Sequence, residues 1–262
     1  FQLPEAQTAT LSNGIAVSVV ENHEMPLVNV RIAFDQGGWT DDASLTGLAS
    51  VTLDMLNEGA GEYDAAGISK AAKALAANIG CGAGNDSASV SLDVLVGNLE
   101  PAMDLLATVM LEPTFEADDW EIMMMDRIAG LASARNNPRS IAGRVAGRLQ
   151  YGDAYKGMLK SEEAYEAMTT DQMKDWWATH LTPGNARIYV GGDITLETVT
   201  PMLEARFGQW TGDASSDEKP TTVADNVSET TIFLVDKPGA PQSVLNVFRP
   251  LDIQPTSDAW FD

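Results

Sequence analysis

Apolar and polar residues alternate regularly in two stretches of the first hundred residues. In residues 27–35 every second position is apolar, and the same period of two recurs in residues 86–96 with serines between the apolar residues. This pattern is typical of a β-strand with one buried and one exposed face. Shorter strands are predicted at residues 8–11, 15–20, 81–84 and 186–190. Asn13 and Gly14 join the first two of these in a tight hairpin, since an Asn-Gly pair tolerates positive φ angles.

Elsewhere apolar residues recur at intervals of three and four, the period of a helix packed on a core. Residues 45–59 show this spacing, and Gly59 stands where a left-handed residue would end the helix. Asp64 precedes the next helix as an N-cap, while Thr169 and Gln172 form a capping box further on. Helices are predicted at residues 45–59, 65–79, 98–110, 115–135, 140–149, 170–180 and 195–207.

These elements predict an α+β fold, a two-layer sandwich in which helices cover a mainly antiparallel sheet. Residues 1–210 are expected to form this unit. In residues 211–229 the composition shifts towards Asp, Ser, Thr and Pro, which predicts a linker. Strands predicted at residues 231–235 and 242–248 would begin a second unit over residues 230–262, whose sheet is incomplete at the last residue.

Charge and composition narrow the possible partners. The net charge is −22 at neutral pH, from 16 basic and 38 acidic residues, so the surface repels the phosphates of nucleic acid and of anionic membranes. No apolar run approaches the length that crosses a bilayer, and no membrane insertion is expected. A single cysteine, Cys81, excludes a disulfide within the chain. Because Phe1 is not an initiator methionine, we expect the chain to begin inside a longer or processed precursor.

The chain has two histidines, His23 and His180. His23 lies in a polar turn that offers no second nitrogen, so we expect it to be solvated rather than bound to a metal. His180 shares the aromatic face of its helix near the C-terminal end, where packing or capping is the expected role.

Several short pieces, each weak alone, occur in the order and spacing of one enzyme family. They include Ser-Asn-Gly at residues 12–14, Gly-Leu-Ala-Ser at 47–50, Leu-Asn-Glu-Gly at 56–59, Glu-Pro-Thr-Phe at 112–115, Pro-Gly-Asn-Ala at 183–186, Gly-Gly-Asp at 191–193 and Asp-Lys-Pro-Gly-Ala-Pro-Gln-Ser at 236–243. Together they resemble the pitrilysin/insulinase family of zinc metallopeptidases, relatives of the mitochondrial processing peptidase. The resemblance implies the processing-peptidase-like metallohydrolase fold, and it identifies residues 230–262 as the truncated start of a second structural repeat.

In that family Gly-Leu-Ala leads into His-x-x-Glu-His on a helix. Positions i, i+3 and i+4 share one helix face, so the two imidazoles hold zinc while the carboxylate activates a water. Here the three positions carry Ser50, Leu53 and Asp54. Gly130 stands where the family helix would supply a third ligand, a glutamate. Since leucine cannot act as a base and serine is a poor zinc ligand, the resemblance implies degenerate motif positions, with no catalytic residue and no metal in this chain.

The combination of Gly-Leu-Ala-Ser with Leu-Asn-Glu-Gly is similar to the second, non-catalytic half of bacterial two-half members, or to their separate partner subunit. In such enzymes two similar halves close around an unfolded peptide, and only one half carries zinc. The resemblance therefore implies a catalytically inactive half without activity alone, which forms substrate-chamber wall and supports proteolysis by a zinc-bearing partner half. It also implies a periplasmic or secreted bacterial protein, with zinc in the partner half only.

Two alternatives stay open. A purely structural subunit, as in the respiratory-complex core proteins that share this fold, would assemble with partners and have no role in proteolysis. An active metallopeptidase that uses Asp54 would require bound zinc in the isolated chain, although one carboxylate without imidazoles is expected to hold zinc weakly.

An edge strand is the natural site for an unfolded peptide, because its main-chain groups pair with an extended substrate of any sequence. The short strand next to the degenerate helix is the candidate. The predicted substrate-binding residues are Gly80, Cys81, Gly82, Ala83 and Gly84. An ordinary edge strand built from small residues is the alternative interpretation.

Overall fold

The structure is a computed structural model that describes residues 5–220, 229–240 and 242–248. The strands are β1 (Gln7–Thr10), β2 (Ala16–Glu21), β3 (Leu27–Phe34), β4 (Gly59–Ala60), β5 (Tyr63–Asp64), β6 (Asn78–Ala83), β7 (Ala88–Leu95) and β8 (Ala186–Gly192). The helices are α1 (Leu48–Met55), α2 (Ala65–Ala74), α3 (Leu99–Leu111), α4 (Ala117–Ala134), α5 (Pro138–Tyr151), α6 (Glu162–Ala167), α7 (Thr170–His180) and α8 (Leu196–Phe207). Within these described ranges no helix combines the length and hydrophobicity of a membrane span.

Six strands form the main sheet, in the order β1-β2-β8-β3-β7-β6. Every neighbouring pair is antiparallel except β2 and β8, which run parallel. Val30 at the centre of β3 lies opposite Leu92 of β7 on one side and Val190 of β8 on the other. The sheet is therefore mainly antiparallel, and β6 forms one of its edges, with β7 as its one strand neighbour in the described chain.

The core lies on one face of this sheet. Alternate residues of the central strands, among them Val30, Ile32 and Ile188, are at most 1% exposed. They share one hydrophobic cluster with buried residues of α1, α3 and α8. Asn29 and Tyr189 are exposed on the opposite face. The period-two pattern thus separates a helix-covered face from an open one, which confirms the predicted two-layer α+β fold.

Helix α1 lies between β6 and α7 and is almost entirely buried. It is shorter than the apolar spacing of residues 45–59 predicts. Gly47 precedes it with φ +108°, a left-handed conformation that favours glycine, so the helix begins only at Leu48. It ends at Met55, and Gly59 belongs to β4 rather than forming the predicted left-handed cap.

The boundary between α2 and β6 also differs from the prediction. The structure ends α2 at Ala74 and places Ile79 and Gly80 in β6. An apolar residue at position 79 fits the helical period, but it also fits the alternation of a strand. Because Ile79 pairs with Leu92 of β7, it belongs to the strand. The predicted helix through residue 79 is therefore too long.

Residues 231–235 and 242–248 are not in strands, so the two strands predicted there are wrong for the described chain. Leu234 and Leu245 are 91% and 86% exposed. A strand needs a neighbour for its main-chain hydrogen bonds, and no pairing among the described residues includes these segments. The remainder of the predicted linker and second unit, at residues 221–228, 241 and 249–262, lies outside the described residues.

The first part of the predicted linker, residues 211–220, has no regular secondary structure but contacts the residues after α7. The hydroxyl of Thr182 donates a hydrogen bond to the carbonyl of Asp213 at 2.8 Å. The backbone N–H of Ser215 donates to Oδ1 of Asn185 at 3.0 Å. These bonds hold this stretch against the first unit.

Leu53 of α1 is fully buried in the core, so Leu53→Ala is expected to lower the free energy of unfolding by about 2–5 kcal/mol. The control is Leu245→Ala, which truncates an exposed leucine and should change stability by less than about 0.5 kcal/mol. Urea unfolding followed by tryptophan fluorescence measures both. Equal effects of the two variants would contradict this placement of Leu53.

Candidate functional site

Asp41 holds the beginning of α1. Its carboxylate accepts hydrogen bonds from the backbone N–H of Gly47 at 2.7 Å and of Ala49 at 2.9 Å. Ala49 lies in the first turn of α1 and Gly47 directly precedes it, and the N–H groups at this end have no partner within the helix. Burial raises the pKa of Asp41 to about 6, although the hydrogen bonds from Ala49 and Gly47 act in the opposite direction. Asp41 was not identified from the sequence, because its six-residue distance from Gly47 matches no capping motif.

The four degenerate motif positions have different surroundings. Leu53 is fully buried in the hydrophobic core, and Ser50 is half-buried. Gly130 is exposed on α4, with open space where a Cβ atom would lie. Asp54 alone among them lies in an ion pair and lines a pocket. The predicted positions therefore do not gather into one polar site.

Arg127 of α4 forms an ion pair with Asp54, and its Nη2 donates to Oδ2 of the carboxylate. The arginine and aspartate side chains are 39% and 29% exposed. Burial raises the pKa of Asp54, and the charges of Arg127 and Lys160 oppose that shift. Arg127 precedes Gly130 by three residues and so lies on the same helix face.

Sequence reasoning missed Arg127, although one signal pointed to it. It is the single basic residue of α4, a helix that also contains four acidic residues. A lone cation one turn from the position where the family helix supplies a metal ligand is a candidate partner for an acid on the opposing helix.

Lys160 is a second cation close to α1. Its side chain passes along Gly47, where a Cβ atom would lie 3.3 Å from Cε of the lysine. Burial lowers the pKa of Lys160 and the charge of Arg127 lowers it further, whereas Asp54 and Asp41 favour the ammonium form. Two cations and two carboxylates therefore influence one another around the ends of α1.

A pocket of about 530 Å³ lies between the C-terminal end of α1 and the facing side of α4. Its carboxylates come from Asp54, Glu58, Asp119 and Asp126, and its apolar wall from Ile122 and Met123. Burial raises the pKa of Glu58, and the charges of Asp119 and Asp54 raise it further. The Asp54–Arg127 ion pair forms part of the wall of this acidic pocket.

The edge strand β6 contains four of the five predicted substrate-binding residues, Gly80, Cys81, Gly82 and Ala83. Gly84 lies beyond its end, and the carbonyl of Gly84 accepts a hydrogen bond from the N–H of Gly38 at 2.9 Å. That carbonyl is therefore already paired. β6 packs against α1, the helix with the degenerate motif positions. Peptide binding at this edge stays a prediction.

Neither histidine lies in the lining of the pocket. His23 is exposed, and its Nδ1 lies 2.7 Å from Oδ1 of Asp193, a hydrogen bond that raises the pKa of the imidazole. His180 packs on Trp176 with ring centroids 4.9 Å apart, and burial lowers its pKa. One histidine is thus solvated and the other packed, as their sequence surroundings predict.

Two family models match the sequence. Residues 16–141 match the model described as "Insulinase (Peptidase family M16)", and residues 167–260 match the one described as "Peptidase M16 inactive domain". The chain belongs to peptidase family M16. The resemblance to the insulinase family is therefore confirmed.

Individual M16 proteins resemble this chain over most of its length. The "Non-peptidase homolog YmxG" of Helicobacter pylori is 20% identical across 84% of this chain and 51% of its own length. A crystal structure of a peptidase M16 inactive domain from Pseudomonas fluorescens has 28% identity and a TM-score of 0.76, covering 83% of this chain and 54% of that chain. The periplasmic protease PqqL from Escherichia coli shares the fold, with a TM-score of 0.72 at 15% identity over 86% of this chain and 25% of that chain.

The chain spans about half the length of the curated relatives that it matches. Its similarity to an inactive M16 domain and to a non-peptidase homologue supports an inactive peptidase-like half.

The residues at the predicted motif positions do not fit a zinc ion. Zinc in proteins is bound by three or four side chains drawn from Cys, His, Asp and Glu. No three such side chains lie close enough to share a metal among the described residues. The one carboxylate of the degenerate motif, Asp54, already binds the guanidinium of Arg127. A divalent cation placed there would be repelled by that charge.

The stability contributed by Asp41 is expected to depend on pH. Its folded-state pKa of about 6 lies above the ordinary value of 3.8, so the folded protein binds the proton more tightly. That contribution is fully present below about pH 4 and is lost as the pH rises through about 6. From pH 4 to pH 7, the free energy of unfolding of the wild type relative to Asp41→Asn should fall by on the order of 2 kcal/mol in urea titrations.

Asp42→Asn is the matched control for this titration. The hydroxyl and backbone N–H of Ser44 donate to the exposed carboxylate of Asp42 and lower its pKa. The stability that Asp42 contributes is therefore present above its ordinary pKa and is lost as the pH falls. The free energy of unfolding of the wild type relative to Asp42→Asn should therefore rise with pH, opposite to the trend for Asp41. Slopes of the same sign for both variants would contradict the buried environment of Asp41.

Cys81 should react slowly with thiol reagents, because burial raises its pKa to about 12 and the thiolate is the reactive form. At pH 8 we expect the native protein to react with a disulfide reagent at least about 100-fold more slowly than the urea-unfolded protein. The colour released by the reagent measures both rates. Native and unfolded rates within a factor of about ten would be inconsistent with this pKa.

Proposed function

We propose that this chain is a catalytically inactive half of an M16 zinc metalloendopeptidase. It forms part of the wall of the substrate chamber and supports proteolysis by a partner half that binds zinc. The observation that carries the proposal is the Asp54–Arg127 ion pair. The pair occupies the helix face on which an active M16 half would hold its metal, while the general-base position is the buried Leu53.

The comparisons support this proposal in two ways. The C-terminal match is to an inactive-domain model, and a relative of similar sequence is named a non-peptidase homologue. In addition, the curated relatives are about twice as long as the stretch that this chain spans in them. A second half, fused or separate, is the partner that such lengths favour.

For the substrate we propose an unfolded peptide that pairs with the free edge of β6. The strand has only β7 beside it in the described chain, so one row of its main-chain groups is open to a further strand. Main-chain pairing selects extended conformation rather than sequence, which suits a peptidase of broad specificity. The periplasmic location of PqqL favours a periplasmic or secreted site of action for this chain.

The test is to mix this chain with the zinc-bearing M16 half from the same organism and to measure cleavage of an unfolded peptide with a quenched fluorophore. We expect no cleavage by this chain alone in the presence of zinc, and a rise of at least about tenfold in kcat/KM when it joins the zinc-bearing half. A control mixture contains a zinc-bearing half in which the motif glutamate is replaced by glutamine. It should be inactive, because the cleavage belongs to the partner's metal site.

Other outcomes would contradict the proposal. A stable complex whose turnover equals that of the zinc-bearing half alone would indicate a purely structural subunit. Cleavage by the isolated chain that a chelator abolishes would indicate an active metallopeptidase.

A further inference from the structure

The Asp54–Arg127 ion pair joins two helices that pack mainly on other elements. α1 packs against β6 and α7, whereas α4 packs against α6. The pocket of about 530 Å³ lies between the end of α1 and the facing side of α4. The Asp54–Arg127 ion pair is therefore one of the contacts that join the two helices across this gap.

We propose that the Asp54–Arg127 ion pair, with Lys160 beside it, is a metal-independent cross-link between α1 and α4. The two side chains lie on the faces of α1 and α4 that the family motif would use to bind zinc. The inference rests on the contacts of these side chains and not on the proposed role in proteolysis.

The chemistry of the partners suits this role. An arginine keeps its charge throughout the pH range in which a protein is folded, and its fork of N–H groups matches a carboxylate. Burial would otherwise favour the neutral form of Asp54, and the charges of Arg127 and Lys160 oppose that effect. The guanidinium thus supplies the positive charge that a metal ion would supply in an active half.

The position of Lys160 strengthens the argument. Its side chain passes along Gly47 at the start of α1. The negative charges of Asp54 and Asp41 favour its charged ammonium form. Residue 160 lies two residues before α6, the helix on which α4 packs. The lysine side chain therefore lies along the start of α1, and its backbone belongs to the same part of the fold that supports α4.

A double-mutant cycle with Asp54→Asn and Arg127→Gln tests the cross-link. Because both side chains are part-exposed, we expect the two substitutions to be coupled by about threefold to fivefold in the unfolding equilibrium constant. The coupling should be the same in excess chelator and in added zinc. Additive effects, or a coupling that chelator removes, would overturn the proposal.

The matched control is the Asp35–Arg187 pair on the open face of the sheet. Its atoms lie 3.1 Å apart, but its side chains are 76% and 60% exposed and its strands are already joined by the sheet. The cycle Asp35→Asn with Arg187→Gln should show a coupling below about twofold.

A local readout separates a cross-link from general stabilisation. Hydrogen exchange of Arg127→Gln should become faster in α4 and in the last turn of α1, while α8 stays protected as in the wild type. Unchanged exchange in α4, or an equal increase in all three helices, would contradict the inference.

Discussion

The hydrogen bonds of Asp41 determine where α1 begins. Its buried carboxylate accepts the N–H groups of Gly47 and Ala49, and the left-handed φ of Gly47 turns the chain into the helix. Each residue of a helix is rotated by about 100° from the one before, so a start shifted by one residue would turn every side chain to a new direction. The observed start places Leu53 in the core and Asp54 opposite Arg127. The candidate site therefore depends on this cap.

Local signals in the sequence were sufficient for most of the fold. The alternation in residues 27–35 predicts β3, which runs over Leu27–Phe34. The capping box of Thr169 and Gln172 is formed at the start of α7. Such signals work because alternation, helical period and caps involve residues within a few positions of one another. These signals are weakest at the ends of elements. Ile79 fits both the helical period of α2 and the alternation of a strand, and its pairing with Leu92 of the distant strand β7 places it in β6.

The candidate site depends on contacts between residues that are distant in the sequence. Arg127 pairs with Asp54 across 73 positions, and nothing near Asp54 in the sequence indicates that partner. The resemblance to the family motif drew attention to α1 and α4, and the structure places an ion pair between these two helices. The resemblance could not show that one of the four positions is core and another is exposed. Those environments are set by how α1 and α4 sit on the sheet and on α6.

The interactions that hold α1 differ in strength, and burial of its apolar side chains is the larger contribution. A part-exposed ion pair such as Asp54–Arg127 contributes at most about 1 kcal/mol. Burying a leucine side chain such as Leu53 contributes about 1.5–3 kcal/mol, and Val51 and Met55 are buried as well. The apolar face therefore anchors α1 to the core. The ion pair has the separate role of joining α1 to α4. The main helix neighbour of α4 is α6, and its buried Trp120 donates to the carbonyl of Met168. Leu53 thus contributes to the stability of the helix, and the neighbouring Asp54 contributes to its attachment to α4.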